Sequence, residues 1–264
     1  MSRTISSVMI SFALTFCVIG GAHADQLVTD LSQHQISIRS NFTGTDILIF
    51  GAVEAEDPND FAIDRDVVVV ISGPEGAVTV RRKDRVAGIW VNYDAVTFER
   101  VPAFYAVAST RPLPRIASMD TRTIEGLGLE QIGFGGATGS GPTGAVTELT
   151  DQERATFSAA LLRNKERAGL YRMEPSGVAF LGRSLFRATI AIPANVPNGL
   201  YTAKVYLISD GVVTDAASAP LYVVKSGIER AIYGFANEKP FLYGIFAVIF
   251  ATFAGWAAAL IFKD

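Results

Sequence analysis

The chain has a single cysteine, Cys17, and only two histidines, His23 and His34. Cys17 lies in an N-terminal apolar stretch and His23 beside an expected cleavage point, so His34 alone is left for the body of the protein. That scarcity excludes a disulfide framework, CxxC redox chemistry, covalent c-type haem and zinc sites built from Cys and His. Neither GxxxxGK[ST] nor GxSxG occurs, which removes P-loop nucleotide binding and nucleophile-elbow hydrolysis. Positive charge is also short: 23 Lys and Arg stand against 26 Asp and Glu. Loss of Arg3 with residues 1–24 makes the balance more acidic still, so the chain lacks the footprint of a nucleic-acid binder.

Long apolar runs, in contrast, are present at both ends of the 264 residues. Residues 1–24 read as a short basic start, an apolar core from Val8 to Ile19 and an Ala22-His23-Ala24 end. These are the three parts of a cleavable secretory signal, with the cut after Ala24. Residues 241–262 are uncharged throughout. At 1.5 Å per residue they reach about 33 Å, enough to cross a hydrocarbon core of about 30 Å as a helix. Pro240 suits the first turn of that helix. A signal at one end and a stop-transfer segment at the other predict a single-pass protein of the bacterial inner membrane. The bulk of the chain then faces the periplasm and residues 263–264 the cytoplasm. Ala247, Ala251, Gly255 and Ala259 recur every fourth residue, a small-residue stripe that lets helices approach in lipid. The stripe predicts packing on a second copy or on a permease.

About 218 residues are left for folding in water, enough for one large or two small domains. The pattern there is that of strands: Asp46–Phe50, Asp66–Ile71 and Ala77–Val80 are β-branched runs bounded by turn residues. In Leu185–Ile192, Phe186, Ala188, Ile190 and Ile192 share one side; in Leu200–Ile208, Tyr201, Ala203, Val205 and Leu207 do. Asp210-Gly211 is a tight-turn pair leading into a last strand that ends in Leu221-Tyr-Val-Val. Tyr201, just after the Pro193–Gly199 corner, stands where a tyrosine corner does in immunoglobulin-like sandwiches. The expected fold is mainly β: an immunoglobulin-like sandwich from residues 25–114 and 173–226, interrupted by an insertion at 115–172. Residues 227–240 form a juxtamembrane linker; two separate β domains are the competing arrangement. Within the insertion, Gly133–Gly144 reads as a flexible loop. Thr150 and Glu153 form a capping box for a helix to about Arg167, which carries Phe157, Ala160 and Leu161 on one face against the sandwich.

Candidate sites are few. Gly139-Ser-Gly141-Pro-Thr-Gly144 matches GxGxxG, but no strand–turn–helix surrounds it, so it reads as loop. The stretch from Glu54 to Asp66 is rich in acids, and Asp57, Asp60 and Asp64 are candidate calcium ligands, although the EF-hand order fails at Phe61. Arg81–Arg85 is a basic cluster able to clamp an anion or to pair with acids. His34 reads as a surface histidine on the first strand. No cofactor is predicted. In a sandwich whose last strand runs toward the membrane, Glu54, Glu56, Asp57, Asp60, Asp64 and Asp210 form a partner-facing tip, with Pro193–Gly199 near the bilayer. The predicted function is a membrane-anchored binding or accessory module; the alternative is a membrane-tethered enzyme using Asp and Glu.

The stretches Val101–Leu113, Asn198–Leu207, Gly227–Tyr233, Leu242–Val248 and Ala254–Trp256 together resemble the family called "putative transmembrane protein" of the alphaproteobacteria. The resemblance covers nearly the whole chain. It implies an exported protein with one C-terminal span and an accessory role beside a permease or exporter. It supplies no catalytic residue.

Overall fold

A computed structural model describes residues 26–38, 42–54, 65–141, 145–225, 233 and 235–261. The proposed signal, residues 262–264 and half of the proposed linker lie outside the described residues.

Two sheets face each other. One contains β1 (Gln26–Leu31), β3 (Gly44–Glu54), β12 (Leu185–Pro193) and β11 (Val178–Leu181), in that order. The other runs β10 (Tyr171–Pro175), β7 (Tyr105–Ser109), β4 (Arg65–Ser72), β13 (Gly199–Ser209), β14 (Val212–Lys225) and β2 (Gln35–Ile38). The first two strands are thus shared out between the sheets: β1 pairs with β3, while β2 runs parallel to β14. The core between the sheets holds the alternating side chains expected from the sequence: Phe186, Ala188, Ile190 and Ile192 from β12, with Tyr201, Ala203, Val205 and Leu207 from β13. Each is at most 2% exposed, and this alternation fixes which face of each strand points inward.

The β4 run departs from alternation, and the reason lies on its other side. Residues 66–71 are all buried. Val67, Val69 and Ile71 enter the inter-sheet core, whereas Val68 and Val70 meet Tyr206, Ile208, Leu113, Ile116 and Leu127 in a second core. That second core is roofed by the segment carrying α1 (Leu113–Ile116) and α2 (Met119–Glu125). A strand buried on both faces becomes uniformly apolar.

A third sheet, in the order β5 (Glu75–Val86), β6 (Ile89–Pro102), β8 (Ala137–Ser140) and β9 (Val146–Thr147), stands apart from the sandwich. Two expectations are corrected here. Ala77–Val80 belongs to this sheet and not to the sandwich, because Val80 packs with Val96, Phe98 and Val101 in a core of their own. Part of the Gly133–Gly144 stretch is strand and not loop. The edge of β6 needs backbone partners, and Glu99 N–H finds Gly136 O at 2.9 Å before β8 joins the ladder.

The helix α3 (Asp151–Arg167) begins at the expected capping box. Thr150 Oγ1 accepts from Glu153 N–H, and the Glu153 carboxylate accepts from Thr150 N–H at 3.0 Å. Its apolar face does not lie on the sandwich as expected. Phe157 and Leu161 are buried in the third sheet's core, and only Leu162 and the following Leu170 reach the sandwich side. The helix thus covers the third sheet's core with one side and meets the sandwich at β10 with Leu162 and Lys165.

Candidate functional site

The end of the sandwich bearing the β13–β14 turn is where the sequence places its tip. Asp210 and Gly211 have φ of 51° and 82°, the paired left-handed conformation of a two-residue hairpin. The turn is not bare. Gly211 O accepts from Ser118 N–H at 3.0 Å and from Thr121 Oγ1–H at 2.8 Å, so the start of α2 is docked on it. Asp210 itself is exposed.

Beside the turn, Ser209 and Ile208 pair with Arg65 and Asp66 at the start of β4. Asp66 is 4% exposed. Its carboxylate accepts from Thr110 Oγ1 at 2.5 Å, from Arg111 Nε at 2.9 Å and from a second guanidinium nitrogen of Arg111. Thr110 Oγ1 in turn accepts from Val67 N–H at 3.3 Å. This bidentate clamp ties the start of β4 to the end of β7. Asp66 is therefore a buried structural acid, unlike the solvated acids the sequence groups it with.

Glu54 is exposed at the end of β3, opposite Gln26. The connection from Glu54 to Arg65 therefore starts and finishes at the same end as the Asp210-Gly211 turn. Glu56, Asp57, Asp60 and Asp64 lie outside the described residues. Among the described residues, no three His, Cys, Asp or Glu side chains gather where they could hold a metal ion. His34 is not on the first strand but in the bend after it, with Nε2 3.2 Å from Asp30 Oδ1 and both side chains exposed. In the GxGxxG match, Gly139 lies in β8; Pro142, Thr143 and Gly144 are outside the described residues.

Three tyrosines that the sequence did not single out line the second core. Tyr105 Oη donates to Gly126 O at 2.5 Å, and Tyr171 Oη donates to Pro102 O at 2.8 Å. Burial raises both phenols well above their ordinary range. Tyr206 is pushed up to about 12 by burial, helped by the Glu125 carboxylate. The Lys165 ammonium lies 5.7 Å from the Tyr171 ring centre and 3.4 Å from Ala103 O. Partial burial lowers its pKa. Tyr105, Tyr171 and Lys165 bond backbone carbonyls and Tyr206 the Glu125 side chain, and together they hold the insertion on the sheet.

At the other end of the chain, α4 (Pro240–Ile261) has an apolar window that is unburied, with a mean hydropathy of 1.9 over Pro240–Ala258. The helical turn at 235–238 precedes it, and Phe235 meets Tyr243 edge to face. Ala247 and Ala251 sit on an apolar groove of about 600 Å³ with Phe235, Tyr243, Phe246 and Phe250. Ala247, Ala251 and Gly255 are exposed, and a Cβ at Gly255 would meet no atom within 4 Å. Ala259 is on the same helix.

A body of packed β-sheets followed by one unburied apolar helix defines a membrane protein with a single candidate C-terminal span. The chain belongs to the family described as "Putative transmembrane protein", which matches residues 26–264. A comparison with curated proteins finds no match.

Proposed function

We propose that the protein is a membrane-anchored binding or accessory module. Its body is an immunoglobulin-like sandwich displayed on the periplasmic side of the inner membrane after the signal at residues 1–24 is removed. The sheet orders support the immunoglobulin-like reading. So does Tyr201, whose Oη donates to Pro197 O at 2.7 Å, the hydrogen bond of a tyrosine corner. The carrying observation is the opposition of the sandwich's two ends. Lys225, where the chain leaves for α4, is two residues past Val223, the partner of Gly199. Asp210-Gly211 closes the other end, eleven residues along β13, where β3 also ends at Glu54 and β4 begins at Arg65.

On this reading Glu54, Glu56, Asp57, Asp60, Asp64 and Asp210 face a partner away from the bilayer. The stripe of Ala247, Ala251, Gly255 and Ala259 packs on a helix of an inner-membrane permease or on a second copy. Purification of the tagged protein from membranes at native expression, with identification of what accompanies it, tests the role. A reproducible permease supports it; recovery of the protein alone after cross-linking counts against it. Charge reversal at Asp57, Asp60 and Asp64 is expected to lose the partner, and unchanged recovery removes the tip from the proposal. Impermeant labelling of spheroplasts tests the side of the membrane: the reading requires that the β body be labelled.

A further inference from the structure

We propose that the β5–β6 hairpin tip is a second, reversible contact with an anionic lipid bilayer, with Ile89 and Trp90 entering the interface and Arg81, Lys83 and Arg85 facing headgroup phosphates. The proposal goes beyond the accessory role and needs only the span.

The tip gathers exposed apolar and aromatic side chains around a tight turn. Ala87 and Gly88 have φ of 49° and 88°, so the ribbon turns in two residues and offers a narrow wedge. Val86 is 45% exposed, Ile89 68%, Trp90 67% and Tyr93 39%. Scattered apolar residues need no explanation, but here they converge on one point of a two-stranded ribbon. Register places Val86 opposite Ile89 and Arg85 opposite Trp90.

The charge of the tip is the reverse of the chain's. Residues 81–94 carry four bases and two acids, within a protein of net charge −3. Asp94 is taken by Arg82. Arg81 and Lys83 have no ion-pair partner among the described residues. The Arg85 side chain donates from Nε to the turn carbonyl of Gly88, at 3.2 Å, and keeps its charge exposed. Below the tip, Arg81, Asn92, Tyr93 and Ser140 line a cleft of about 240 Å³, of which Asp94 is also a wall. Trp and Tyr prefer the headgroup level, and basic side chains beside them add attraction to anionic lipid.

Position favours the bilayer over other surfaces. The hairpin is rooted at the end of the sandwich from which the chain leaves for α4. Ala103 N–H donates to Pro74 O at 2.8 Å, and a Cβ at Gly199 would stand 2.8 Å from Pro74. The twelve residues of β5 reach about 40 Å from that root. Because α4 already holds the chain to lipid, the tip meets the surface at high effective concentration and needs little affinity of its own.

The test uses the full chain with Trp256→Phe, so that Trp90 is the only tryptophan, in nanodiscs containing either phosphatidylcholine alone or phosphatidylcholine with phosphatidylglycerol. Trp90 emission is expected to shift to the blue and to be quenched by lipid spin-labelled near the headgroup, more strongly with phosphatidylglycerol. Lys83→Ala is expected to lower the ratio of bound to free tip about fivefold in the anionic discs. Circular dichroism confirms that the variant folds. The proposal is overturned if Trp90 remains open to aqueous quencher in both discs. It is equally overturned if emission is blue-shifted but blind to the spin-labelled lipid, the signature of cover by protein.

Discussion

Asp66 shows how one side chain fixes the geometry of a whole end of the sandwich. Its carboxylate is shared by Thr110 and Arg111, and it stands one residue before the uninterrupted valine run of β4. Replacing it with Ala removes the carboxylate that the guanidinium and the hydroxyl share. Because Arg111 is 43% exposed and can turn to water, the expected loss is about 2 kcal/mol, below the range for a fully buried pair. A urea titration reads it directly. The tyrosines act on stability in the opposite pH range. Burial raises Tyr105, Tyr171, Tyr201 and Tyr206 above the ordinary 10.0. The folded protein therefore keeps protons that the unfolded chain has released. Their contribution is complete below pH 10 and is lost as pH climbs through the raised values. The urea midpoint is expected to fall above pH 10, and less so in Tyr206→Phe; a midpoint flat to pH 12 sinks the assignment. None of these polar contacts was legible in the sequence, since each partner lies more than 20 residues away. Tyr201 was legible because its acceptor, Pro197, is four residues upstream.

Elements written in local code were read correctly, and those that depend on a distant partner were not. The α3 start, the Asp210-Gly211 turn and the faces of β12 and β13 each follow from spacing within a few residues. The allegiance of Ala77–Val80 depended on Phe98 and Phe157, and β10 and β11 are too short to declare themselves. The cap of α3 gives a clean test. Thr150→Ala is expected to cost about 1 kcal/mol. The hydrogen bonds from Thr150 to Glu153 hold the Glu153 carboxyl below its ordinary 4.5. A lowered folded value means that this stabilisation is present above pH 4.5 and lost as pH falls through the folded value. Thermal melts should therefore separate wild type from Thr150→Ala more widely at neutral than at acid pH, where only the bond from Glu153 N–H to Thr150 Oγ1 is left to lose. Strand packing is tested at Gly51, where β1, β3 and β12 crowd together. A Cβ there would lie 2.3 Å from Val28 O and 2.7 Å from the Phe186 ring. Gly51→Ala is expected to cost about 1–3 kcal/mol, and an unchanged melting temperature would show that the sheet relaxes freely.

At the scale of the molecule, α4 accounts for attachment to the membrane. Removing residues 240–264 is expected to move the protein from the carbonate-resistant membrane fraction to the supernatant; retention in the pellet would mean that another segment holds it. The pairing of β2 with β14 adds a mechanical consequence. Tyr222 to Lys225 lie beside Gln35 to Ile38 in parallel, just before the chain departs for the lipid. Tension between the anchor and the first strands therefore loads that ladder in shear, so that its hydrogen bonds must break together and not one after another. Pulled from its ends, this body is built to hold as a clasp and to keep its shape.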